Sequence, residues 1–148
     1  GDVYKRQVVT GEDILEICTT QTQNKIFDMV RAVTEKNQKR ALDLYYDLLT
    51  LKEPPMRILF LLAKQFRQLL LVKEYAEEGI PQPVMASRLG VPSFVAKNIA
   101  VCAKSYRISE LRQAVTDFVD AEEAVKTGRL QDVLSVELLI VKYSSARR

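Results

Sequence analysis

The residues most suggestive of chemistry lie near the C-terminus, in "AEEAVKTGRLQDVL" (residues 121–134). Lys126, Thr127 and Gly128 spell Lys-Thr-Gly, one of three motifs that mark serine β-lactamases and penicillin-binding proteins. That chemistry needs a serine activated by a base, in the pattern Ser-x-x-Lys. No serine has a lysine three residues later, Ser93 and Lys97 being one residue too far apart, and no Ser-Asp-Asn occurs. The motif also belongs on a strand, and the chain offers none. A structural reading accounts for the same residues. Gly128 can close a helix in the left-handed conformation, Lys126 sits in the last turn, and Glu122 precedes it by one turn in the favourable acid-before-base order.

The rest of the composition narrows the chemistry further. The chain contains no histidine, which removes the commonest general base and the Ser-His and Cys-His nucleophile systems. Cys18 and Cys102 are its two cysteines, too few for a Cys₄ zinc site and too far apart in sequence for a disulfide framework. There is no G-x-x-x-x-G-K-[ST], hence no P-loop. No catalytic residue, cofactor or metal is expected in this segment. The profile of 148 residues, 47% hydrophobic and 28% charged, is that of an ordinary globular chain, and its net charge of +3 does not argue nucleic-acid binding on its own. Lys64 and Arg67 interrupt the longest apolar run, residues 58–72, so no membrane span is expected. A reducing, cytoplasmic setting is the expectation. The opening "GDVYKRQ" lacks a signal core and fits poorly with the rest of the chain, so residues 1–7 read as foreign sequence.

The elements that would position these residues are helices. Thr10 and Asp13 resemble a capping box for a short helix over 11–19 burying Ile14, Ile17 and Cys18. A polar break, "TTQTQN", then precedes a second helix from about Gln23 with Ile26, Phe27, Val30 and Val33 on one face. "EKNQ" reads as a tight turn into a third helix carrying Ala41, Leu42, Tyr45, Leu48 and Leu49. Pro54 and Pro55 suit a helix start and mark the candidate domain boundary. From Pro55 a long helix reaches about Glu78, with Leu59, Leu62, Phe66, Leu69 and Leu70 as its stripe and Ile58 and Leu61 widening it. Gly79 and Gly90 end helices, and Pro92 opens one with Phe94, Val95, Ile99 and Cys102 on its apolar side. Ser109 is the expected N-cap of the next, burying Leu111, Ala114, Val115, Phe118 and Val125. A last helix after Gly128 carries Leu130, Val133, Leu134, Leu138 and Val141. The fold class is therefore all-α, a bundle of about seven or eight helices without tandem repeats. The pair at 82–105 resembles a helix-turn-helix, in which Lys97 and Asn98 could contact DNA.

Several stretches together resemble a known family. "TGEDILEICTTQTQNKIFDMVRAVTEKNQKRALDLYYDLL", "EPPMRILFLLAKQFRQLLLVKE", "MASRLGVPSFVAKNIAVCAKSY" and "DAEEAVKTGRLQDVLSVELLIVKY" resemble, in order and spacing, the bacterial DNA polymerase III delta subunit, a clamp-loader family. The resemblance covers about residues 8–144. Glu122, Lys126, Gly128 and Glu137-Leu138-Leu139 fill the family's closing signature, where an Asp is common at the place of Glu122. It implies the second half of a helical lid domain at 8–52 and a helical collar, the oligomerisation domain, at 53–148. It further implies a part in a clamp loader that places the sliding clamp on primed DNA within the DNA polymerase III holoenzyme, with gamma/tau and delta prime as partner subunits. The delta subunit itself hydrolyses no ATP, and its clamp-gripping element belongs to an N-terminal domain. Ile58, Leu61, Phe66 and Leu69 are the expected subunit-facing residues, because the apolar arc there is broader than one stripe.

Overall fold

The computed structural model describes residues 11–146, with side chains from Gln21 onward. Among these residues there are seven α-helices: α1 (Gly11–Thr34), α2 (Gln38–Thr50), α3 (Pro55–Glu77), α4 (Gln82–Leu89), α5 (Ser93–Ala103), α6 (Ile108–Lys126) and α7 (Asp132–Ser144). The expected all-α bundle is what forms. Residues 1–7, the Thr10 cap, and the side chains of Ile14, Ile17 and Cys18 lie outside the described set.

The polar break expected at 19–24 does not exist, since α1 runs through it. The stretch holds no Gly or Pro, and Thr, Gln and Asn cost only about half a kcal/mol each in a helix. Thr22 is buried, and its hydroxyl donates to Glu53 Oε1 at 2.6 Å, so packing offsets that cost. The turn at "EKNQ" forms as expected. Lys36 takes φ +62°, and Asn37 caps α2 by accepting from the Arg40 N–H at 3.3 Å.

The core is one cluster that draws on both sides of Lys52. Ile26, Met29 and Val33 of α1 and Tyr45 and Leu48 of α2 belong to it together with Ile58, Leu62 and Phe66 of α3. Residues 51–54 link α2 to α3, and residues on either side of this link belong to that cluster. Four rings lie at its centre: Phe66 stands 6.0 Å from Tyr106, 5.2 Å from Phe118 and 5.6 Å from Tyr143. Such pairs add about 0.5–1.5 kcal/mol each beyond area burial.

Three faces differ from the sequence reading. In α5, Ile99 and Cys102 point inward as expected, but Phe94 is 68% exposed, because Ala96, Ile99 and Ala103 form the buried side. Helix α6 begins at Ile108 instead of after Ser109. Glu110 accepts from the Arg107 N–H at 2.9 Å and satisfies the helix entry without the serine. It buries Leu111, Ala114, Phe118 and Ala121, leaving Val115 and Val125 half-buried. In α7 the inward residues are Val136, Leu139, Ile140 and Tyr143, while Leu134 and Leu138 are exposed. That helix is apolar on two sides, so periodicity allowed two stripes; its links to Tyr45 and the ring cluster choose one.

Candidate subunit-contact surface

The corner at Gly128 is a helix terminus. Gly128 has φ +76° and donates to the Val125 carbonyl at 3.1 Å, while the Arg129 N–H reaches Ala124 at 2.8 Å. This paired pattern is a Schellman motif, which satisfies carbonyls that the end of α6 would otherwise leave free. Lys126 Nζ meets Glu122 Oε1 at 2.7 Å, one turn away, with both side chains at least half exposed. Lys-Thr-Gly here caps and pairs.

Glu122 and Lys126 also form one rim of a groove of about 360 Å³ between α3 and α6. Its floor includes Met56, Leu59, Phe118 and Val125, and Phe60, Val119 and Arg67 stand along its edge. Phe60 is 62% exposed and Val119 56%. Phe60, Lys64, Arg67 and Leu71 are all exposed and share one side of α3 by their spacing of four, three and four residues. The residues expected to face another subunit are elsewhere: Ile58, Leu61, Phe66 and Leu69 are all buried in the chain's own core. They occupy the opposite side of α3 and have no surface to offer. A helical wheel of residues 57–72 could have separated the two sides, because Phe60 and Leu71 fall with Lys64 and Arg67.

Glu137 joins a second exposed group. It accepts from the Tyr46 hydroxyl at 3.0 Å, beside Leu134 and Leu138 on the outer side of α7. Tyr45, next to it, is buried and donates to the Val133 carbonyl at 2.7 Å. Burial, with the negative charges of Glu137 and Asp132, raises the Tyr45 phenol far above its ordinary value, so it stays a neutral donor.

Sequence reasoning missed the polar lock at the end of α7. The Tyr143 carbonyl accepts from Lys36 Nζ at 3.0 Å and from the Tyr106 hydroxyl at 2.7 Å. Gln38 Nε2 reaches the Val141 carbonyl at 3.2 Å. The α1–α2 turn thereby satisfies the last carbonyls of α7, with a cation at the negative end of the helix dipole. Asp117 completes the lock, accepting from Lys142 Nζ at 2.7 Å, from Gln113 Nε2 at 2.8 Å and from the Tyr143 hydroxyl. Burial pushes its carboxyl up, but the hydrogen bonds from Lys142, Tyr143 and Gln113 together prevail and hold it below the usual carboxylate range. Burial and the Asp117 bond push the Tyr143 phenol strongly up. A phenol that resists ionisation beside a carboxylate that resists protonation makes a tie, not an acid–base pair. No local sequence motif announces it, since Lys36, Tyr106, Asp117 and Tyr143 come from four separate segments.

Lys97 is exposed and Asn98 half-buried, on a helix whose outer side also presents Phe94 and Val101. Two exposed apolar side chains among so few cations do not make a phosphate-binding face, and the helix-turn-helix reading is not favoured. Among the described residues no helix is long and apolar enough to cross a membrane, and no group of three or more His, Cys, Asp or Glu could hold a metal ion.

An all-helical domain whose polar bonds tie its own elements together, and whose outward apolar residues line a groove and helix sides, belongs to the class of helical binding modules. Residues 23–143 match the model of the family "DNA polymerase III delta subunit, C-terminal domain". The chain belongs to that family. It is 28% identical over 137 residues to the DNA polymerase III subunit delta of Bacillus subtilis (strain 168), an alignment covering 93% of this chain and 40% of the relative. The solved Bacillus subtilis DNA clamp loader delta protein superposes with a TM-score of 0.77 at 29% identity, covering 83% of this chain and 36% of that one. The chain thus spans about two fifths of the length of the relatives it matches.

Proposed function

We propose that this chain is the assembly part of a clamp-loader delta subunit. It would hold the subunit among gamma/tau and delta prime neighbours while the whole complex opens the sliding clamp and places it on primed DNA. The observation that carries this is the match over residues 23–143 together with a groove edge that leaves Phe60 and Val119 in solvent. Exposed aromatic and aliphatic side chains gathered beside a groove favour a protein partner. The contact side of α3 is read as Phe60, Lys64, Arg67 and Leu71. The reading assigns no reaction, metal or cofactor to these residues, and puts any contact with the clamp or with DNA in the whole complex. Residues 21–144 act as one unit in it, because the segment expected as lid and the segment expected as collar share a core.

The test uses the full-length subunit. Phe60→Asp and Leu71→Asp together abolish co-elution with gamma/tau and delta prime while leaving far-UV circular dichroism unchanged. Co-elution undiminished by both changes would refute the assignment of this face.

A further inference from the structure

From Gly79 to Ser109 the chain carries no Asp or Glu, but it does carry Arg88, Lys97, Lys104 and Arg107. This is an uneven distribution for a protein whose whole net charge is only +3. Helix α5 turns part of that charge outward. Phe94, Lys97, Val101 and Lys104 are all exposed, and their spacing of three, four and three residues puts them on one stripe. The side chains beneath, Ala96, Ile99, Cys102 and Ala103, are buried, so the stripe's orientation is fixed by the core. Phe94 is 68% and Val101 57% exposed, the two lying about 10 Å apart along the axis. Neither Lys97 nor Lys104 makes an ion pair with an acid of the described chain.

We infer that the α5 stripe is a second docking surface, and that its occupant is a helical segment of a partner subunit with apolar residues one or two turns apart flanked by Asp or Glu. This rests on the assembly reading above and adds a partner chemistry at a different face. Two apolar anchors at a two-turn separation match the repeat of an amphipathic helix. The flanking lysines form no ion pair among the described residues, although Glu77 of α3 lines a pocket with Lys104, and they supply the complementary charge and would reject a basic partner. Nucleic acid fits less well. Two lysines neutralise few phosphates, and one isolated Phe makes no run of stacking platforms for successive bases. Helix α5 lies apart from the α3–α6 groove, none of whose lining residues it supplies.

The experiment places the photo-crosslinker p-benzoylphenylalanine at position 94 and, separately, at position 101 of the full-length subunit. The subunit is then assembled with its loader partners on primed DNA, irradiated, and mapped by mass spectrometry. The expected result is crosslinking from both positions to one helical segment rich in Asp or Glu in another subunit. Lys97→Glu with Lys104→Glu should weaken that association about tenfold at low ionic strength and far less at high salt. Phe94→Ala should weaken it about tenfold at either. Crosslinks to DNA, or to a neutral or basic protein segment, overturn the inference. So does a complex that co-elutes intact but yields no crosslink from either position, an outcome that leaves the assembly reading standing. Failure of the unsubstituted subunit to assemble overturns both.

Discussion

Replacing Phe66 with Ala separates a core role from an interface role more sharply than any other single change. Phe66 is 2% exposed and touches three rings, those of Tyr106, Phe118 and Tyr143, within 6.0 Å. Removing a buried Phe costs about 3–5 kcal/mol in lost transfer energy and residual cavity. Four rings meeting here, from α3, α5–α6, α6 and α7, cannot all collapse into the space, so the upper half of that range applies. A domain of this kind has about 5–15 kcal/mol in total. For its length, each kcal/mol moves the midpoint by roughly 2–5 °C, giving a fall on the order of 10–20 °C. Phe60, six residues away, is the internal control. It is 62% exposed, so it loses about a third of the contact a buried Phe would lose, and Phe60→Ala costs about 1 kcal/mol or less. The assay is thermal and urea unfolding of both variants by far-UV circular dichroism. A Phe60→Ala loss equal to or above that of Phe66→Ala would refute both the core assignment of Phe66 and the outward assignment of Phe60.

Gly128→Ala should destabilise by about 1–2 kcal/mol from the left-handed backbone alone, because a Cβ there meets no atom within 4 Å; urea midpoints check this, and no loss would contradict the φ of +76°. Tyr45→Phe removes the bond to the Val133 carbonyl, which keeps its own bond within α7, and should cost roughly 0.5–1.5 kcal/mol by the same measurement. Asp117 has a folded pKa held below its unfolded value, so its stabilising effect is complete above about pH 4 and disappears as the pH falls through the folded value. Asp117→Asn should therefore lower stability at pH 7 and flatten the acid limb of a stability–pH profile, and an unchanged acid limb would contradict the lock. Glu122→Gln breaks only an exposed i,i+4 pair and should cost no more than about 0.5 kcal/mol, a value that double-mutant cycles with Lys126→Gln can check.

Helix existence was legible in the sequence wherever a breaker or a clean stripe stood: Pro55 and Gly79 bracket α3, Gly90 and Pro92 separate α4 from α5, and Gly128 ends α6. The Glu122–Lys126 pair and the left-handed Gly128 were legible too, since both depend only on neighbours within one turn. What failed was the choice of face in helices that are apolar on more than one side. Leu134 and Leu138 fit a 3.6-residue period as well as Val136, Leu139 and Ile140 do, and only contacts from α1, α2, α3 and α6 decide between them. Phe94 failed for the same reason, because a hydrophobic side chain near a helix start carries no sign of which way the helix will roll. The polar break in α1 failed because propensity differences of tenths of a kcal/mol yield to the packing of Thr22 and its part-buried hydrogen bond to Glu53. The α7 lock was beyond reach, as its partners lie up to 107 positions apart along the chain.

That lock also ties the segment before Lys52 to the helices after it. Lys36 sits on the turn after α1 and Gln38 opens α2, yet they cap α7, the last of the described helices. Tyr45 holds the other end of α7 through Val133. Cutting at the prolines would strip α7 of its bonds from Lys36, Gln38 and Tyr45, and uncover Ile58 of α3, which shares the core with Met29 and Leu48. The outward sides of α3 and α7 keep their orientation only while that core is whole: Phe60 faces out because Ile58, Leu62 and Phe66 are committed inward, and Leu138 because Leu139 is. A contact surface built this way is set by packing from the opposite side of each helix. Core substitutions in α1 and α2 should then disturb partner binding at α3 without touching a contact residue.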